Sequence, residues 1–107
     1  MNIRDIDLNL LVVFRSLMNS MSVSETAKQL GLSQPAVSHA LSRLRESLDD
    51  DLLVRSSRAM VATPFASALV PKISEILSQL EGVLERKSFD PATAVGEIKI
   101  QSTEYFE

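Results

Sequence analysis

Residues 22–45, SVSETAKQLGLSQPAVSHALSRLR, constrain this chain more than any other stretch. They read as two helices joined by a tight turn. Ser22 is placed to cap the first, with Glu25 at the reciprocal position of an S-x-x-E capping box. Gly31 ends it, because glycine accepts the left-handed conformation common just past a helix end. Ser33 caps the second helix, and Pro35 suits a first turn that needs no backbone donor.

The second helix has two sorted faces. Val37, Leu41, Leu44 and Leu48 fall on one stripe and point into a core. Gln34, Ser38, Ser42 and Arg45 lie on another face, with Pro35 and His39 beside them. These side chains form hydrogen bonds and carry little bulk. An α-helix fits the DNA major groove, and its first turns carry the groups that reach base edges. The pattern is a helix-turn-helix whose second helix reads double-stranded DNA. Gln34 can offer adenine both a donor and an acceptor, and Pro35 can touch a thymine methyl.

At this point a family resemblance enters. It is carried by Ala27, Leu30, the run from Ser33 through Gln34, Pro35, Ala36 and Val37 to Ser38, then Leu41, Leu44, Leu53, Val54, Arg55 and Arg58. Thr63 and Pro64 close that region, and the likeness extends back to residues 7–11. This stretch resembles the DNA-binding region of LysR-type transcriptional regulators. The resemblance implies a mainly α fold: a winged helix-turn-helix of three helices and a short β-hairpin wing, followed by a long linker helix. It implies a dimer that reads a pseudo-palindromic operator, with DNA contacts at Ser33, Gln34, Pro35, Ser38, His39, Ser42, Arg45, Arg55 and Arg58.

The remaining segments fit around that centre. Leu10, Leu11, Phe14, Leu17 and Met18 repeat at helical spacing, which predicts a first helix over residues 7–19 with Asp7 as its cap. In the resembling family this helix is also a dimer contact. Asp49, Asp50 and Asp51 read as a solvated loop rather than a metal site, since nothing nearby completes a ligand set. The family often has glycine here. Residues 52–61 read as a hairpin with Ser56 and Ser57 in its turn and Arg55 and Arg58 flanking the tip, placed for phosphate or minor-groove contact.

Thr63 and Pro64 open a long helix. Leu69, Ile73, Ile76, Leu80 and Val83 alternate steps of three and four along it, an apolar seam that needs a partner. That partner is either the chain's own core or a second copy; the resemblance implies a second copy. Pro71 is expected to bend the helix. Residues 86–95 read as a hinge, and residues 96–101 alternate like a strand. In family members such a strand opens an effector-binding domain. The expected division is therefore residues 1–63 as the DNA-binding domain, 64–86 as the linker and dimerisation helix, and 87–107 as hinge and first strand of a truncated effector-binding domain. A small-molecule effector is expected to act only through the missing part, and a higher oligomer is expected in a full-length protein.

Composition excludes other classes. The sequence has no cysteine and one histidine, so neither a disulfide framework nor a thiolate or histidine-rich metal site is available. Aromatic residues make up 5%, which argues against a base-stacking platform for single strands. No apolar run approaches a membrane span and no signal pattern precedes the first helix, so the expectation is a cytoplasmic protein. There is no Gly-rich phosphate loop and no nucleophile–base set, so no cofactor and no enzymatic activity is expected. The net charge of −3 is unusual for a DNA binder, but residues 22–58 balance five cations against five anions. Where the cations point matters more than the total. The rival reading is a helical protein-interaction module that pairs through the long amphipathic helix.

Overall fold

The computed structural model describes Arg4 and residues 7–85. Its elements run α1 (Leu8–Ser20), α2 (Val23–Leu30), α3 (Gln34–Leu48), β1 (Leu53–Ser56), β2 (Ala59–Ala62) and α4 (Pro64–Leu84). The hinge and terminal strand expected over residues 86–101 lie outside the described residues. The chain divides into two units, with Leu77 closing the first and Ser78 opening the second. The break falls inside α4.

Each helix begins where its capping chemistry permits. The Asp7 carboxylate accepts from the Asn9 N–H at 2.9 Å, and Ser22 Oγ accepts from the Glu25 N–H at 3.1 Å. Ser33 Oγ accepts from the Ala36 N–H at 3.2 Å, with Pro35 in the first turn of α3. Only half of the expected capping box forms. The Ser22 N–H donates to Ser20 Oγ at 3.2 Å, while Glu25 lies 3.8 Å from Lys28 in an exposed ion pair. Gly31 closes α2 at φ 67°, and the Leu32 N–H reaches back to the Ala27 carbonyl at 2.9 Å. This left-handed closure makes the turn tight enough to bring α3 across α2.

The core sits where α1, α2 and α3 meet. Phe14 and Leu17 of α1, Ala27 of α2, and Val37, Leu41 and Leu44 of α3 are all buried in one cluster. Fully burying one such aliphatic side chain stabilises the fold by about 1.5–3 kcal/mol. Leu52, Leu53 and Ala66 join the same cluster, so the base of the hairpin and the start of α4 are fastened to it. Thr26 is fully buried, and its hydroxyl is 3.1 Å from Ser20 Oγ and 3.4 Å from Ser16 Oγ. Ser16 in turn donates to Gln29 at 2.7 Å. This small polar network locks α1 to α2.

The hairpin is antiparallel, with Leu53 opposite Ala62, Val54 opposite Val61, Arg55 opposite Met60 and Ser56 opposite Ala59. Its turn is therefore Ser57 and Arg58, one residue later than the sequence suggests. Leu52 is not a strand residue; it sits fully buried at φ 64° in the corner before β1. The helix α4 continues through Pro71. Within the first unit, Ala66 and Leu77 are buried, and Leu69, Val70 and Ile73 pack partly against the core. In the second unit the last turns of α4 leave Val83 60% and Leu84 66% exposed.

Candidate nucleic-acid interface

The apolar stripe of α3 faces inward, which turns its opposite side to solvent. Ser33, Gln34, Pro35, Ser38, His39 and Ser42 are all exposed. Ser33 uses its hydroxyl as a helix cap. Gln34, Ser38, His39 and Ser42 make no side-chain hydrogen bond or ion pair among the described residues. Water satisfies these four side chains in the free chain, so they stay available to donors and acceptors from outside.

Arg45 differs from the sequence-based reading. Its neighbours one turn away are buried Leu41 and core-packed Leu48 on one side and exposed Ser42 and Asp49 on the other. It therefore sits half-buried at the border between the apolar stripe and the open face. Its Nε donates to the Asp51 carbonyl at 2.8 Å and its Nη2 donates to the Leu53 carbonyl at 3.0 Å. The side chain braces the corner between α3 and β1. Sequence reasoning misses Arg43: it is exposed, has no partner among the described residues, and lies one turn beyond His39. The i+4 spacing from His39 is the available signal.

The wing places its two arginines differently. Arg58 lies in the two-residue turn at the tip, and Arg55 on β1 opposite Met60. Both are exposed, with no ion pair among the described residues. The aspartates after α3 also separate. Asp50 Oδ2 accepts from the Leu52 N–H at 2.8 Å and from Thr63 Oγ1 at 2.6 Å. That carboxylate is part of the frame and not a solvated loop residue. Asp49 caps α3 at φ 53°.

The seam residues of α4 are divided. Leu69 and Ile73 lean on the chain's own core, and Leu80 is half-buried. Ile76 is 49% and Val83 60% exposed. Phe65, eleven residues before Ile76, is also exposed; about three helical turns separate them, so both fall on one line. Among the described residues no helix is long and apolar enough to cross a membrane.

A short helix, a tight turn, a second helix with an open polar face and a two-stranded wing define a winged helix-turn-helix. A family model described as bacterial regulatory helix-turn-helix protein, lysR family, matches residues 8–67. The chain belongs to that LysR family. It is 50% identical to the HTH-type transcriptional activator NahR of Pseudomonas putida, over 88% of this chain and 32% of that one. It is 45% identical to the HTH-type transcriptional activator NagR of a Ralstonia species, over 100% of this chain and 36% of that one. The chain thus spans about a third of the length of these relatives.

Among solved structures it resembles a probable transcriptional regulator of Pseudomonas aeruginosa at 41% identity and TM-score 0.73, covering 78% of this chain and 28% of that one. It also resembles the BenM DNA-binding domain in a complex with catB site 1 DNA, at 25% identity and TM-score 0.70. That match covers 78% of this chain and 89% of the other.

Proposed function

We propose that the chain is the DNA-binding part of a transcription regulator and reads double-stranded DNA with α3 in the major groove. The observation that carries this is the exposed polar face of α3, whose Gln34, Ser38, His39 and Ser42 have no partners among the described residues. The solved complex of a similar domain with DNA supports it. Gln34, Pro35, Ser38 and His39 reach base edges or the adjacent phosphates, with Ser33 and Ser42 beside them. Arg43, Arg55 and Arg58 meet the backbone. Residues 1–63 form the reading domain and residues 64–86 the linker helix, through which a second copy joins. Two readers then meet successive major grooves of a pseudo-palindromic site, roughly one helical turn apart or a multiple of it. The working place is the cytoplasm, where the DNA is, and the role is recognition without catalysis. Any small-molecule control resides in the further sequence that the longer relatives possess.

The test is selection of duplexes from a random pool, followed by titration against selected and random DNA. Gln34→Ala and Ser38→Ala are expected to narrow the gap between the two by about 1–3 kcal/mol for each base edge no longer read. Selection that yields no preferred sequence, or a gap unchanged in both variants, removes α3 as the reader.

A further inference from the structure

We propose that Arg45 is a positioning residue that sets the wing against the reader helix and touches no DNA itself. The inference rests on the DNA-binding reading above. It starts from the corner between α3 and β1, which is short and strained. Asp49 and Leu52 both lie in the left-handed region, at φ 53° and 64°, a conformation that non-glycine residues disfavour. Leu52 is fully buried, and its own backbone is held by the Asp50 carboxylate and the Thr63 N–H. The residues on either side of it, Asp51 and Leu53, take their support from α3.

Arg45 holds both sides. Its backbone carbonyl accepts from the Asp49 N–H and from the Asp50 N–H, the latter at 3.2 Å. Its guanidinium donates to Asp51 at 2.8 Å and Leu53 at 3.0 Å. Leu53 is the first residue of β1 and pairs with the last residue of β2, so the second bond grips the base of the wing. A two-stranded hairpin has little stability of its own and takes its direction from what anchors it. From Leu53 to the turn the strand reaches roughly 10 Å. A tilt of about 10° at the base therefore moves the tip by about 2 Å, more than a hydrogen bond tolerates. Arg55 and Arg58 lie along that lever, and the unpartnered face of α3 lies on the other side of the corner.

A planar fork with donors in fixed directions can span two carbonyls; an ammonium cannot reproduce that span. This separates positioning from a direct charge contact. The probe is a duplex selected from a random pool by the wild-type chain, titrated under conditions where thermal melts show every variant folded. Arg45→Lys and Arg45→Met are both expected to weaken binding about tenfold, by misaiming one or two wing contacts. In the Arg55→Ala/Arg58→Ala background the same changes are expected to cost less than about twofold, because the energies of coupled residues do not add. If Arg45→Lys binds as wild type while Arg45→Met does not, the arginine works by charge on the phosphates and the proposal fails. It fails equally if the full loss persists without the wing arginines. Should Arg45→Met not fold, Arg45→Lys still decides, since it keeps the charge and loses the fork. Failure of the wild-type chain to select any sequence strikes the DNA-binding reading instead.

Discussion

Asp50 and Thr63 are thirteen residues apart in sequence and 2.6 Å apart in space, the carboxylate accepting the threonine hydroxyl. The same hydroxyl oxygen accepts from the Ala66 N–H at 3.1 Å, and the Thr63 N–H donates to the Leu52 carbonyl at 2.9 Å. One chain of hydrogen bonds thus runs from the loop after α3 to the first turn of α4. Asp50→Ala removes the acceptor for both Leu52 and Thr63. Bonds to a charged group contribute more than neutral ones, but the site is only half-buried, so the expected cost is about 1–2 kcal/mol. Urea melts of Asp50→Ala and Thr63→Val measure it. Melts that overlay on wild type would reduce Asp50 to a solvated loop residue.

Asp49 occupies the left-handed cap of α3 and adds a negative charge at the carbonyl end of a helix. Both features are unfavourable, the first sterically and the second through the helix dipole. Asp49→Gly is expected to raise stability by about 1 kcal/mol, and Asp49→Ala to recover only the smaller part that comes from removing the charge, because alanine keeps the steric conflict. Equal melting temperatures for the glycine and alanine variants would show that the backbone there is not under strain.

The helices are legible in the sequence because local chemistry and hydrophobic period agree over residues 7–48. Asp7, Ser22, Gly31 and Ser33 each cap where the sequence places them. The inward stripe of α3 is equally legible, and with it the outward face. What escapes are interactions between segments distant in sequence. The Arg45 fork needs the path of the chain six and eight residues on, and the Asp50 carboxylate needs Thr63 delivered by the returning hairpin. The hairpin turn slips by one residue because no glycine marks it; Ser57 takes the positive φ itself, at 55°. The α4 seam reads as one surface in sequence, but Leu69 and Ile73 pack on the core.

The wing arginines give a different signature from the reader residues. Arg58 at the tip and Arg55 on the strand have no internal partner to lose among the described residues, so replacing them leaves the fold intact. Each neutralised phosphate releases condensed counterions, so the slope of log affinity against log salt falls by about 0.9 for each phosphate left unneutralised. Arg58→Ala is expected to weaken selected and random duplexes alike and to lower the slope by about one. Arg55→Ala is expected to do the same. A wild-type slope in both variants would return these side chains to solvent.

Ile76 decides whether α4 meets a second copy. It is 49% exposed, so charging it hardly disturbs the folded chain, whereas Leu77 beside it is 3% exposed and belongs to the interior. The two neighbours therefore separate association from folding. If two copies pair along the line through Phe65 and Ile76, each dimer buries the exposed half of two Ile76 side chains, worth about 0.75–1.5 kcal/mol apiece, half of the value for full burial. Ile76→Asp loses that burial and places two unpaired carboxylates in an apolar contact, which adds a desolvation cost. The dimer dissociation constant is expected to rise about a hundredfold or more, each 1.4 kcal/mol being about tenfold. The melting temperature of the dissociated chain is expected to stay near that of the wild-type monomer. Leu77→Asp is expected to unfold the chain instead. Sedimentation equilibrium over a range of concentrations reads the dissociation constant, and thermal melts at the lowest concentration read the fold. A dimer of undiminished strength in Ile76→Asp would move the contact to another face of α4 or to another helix.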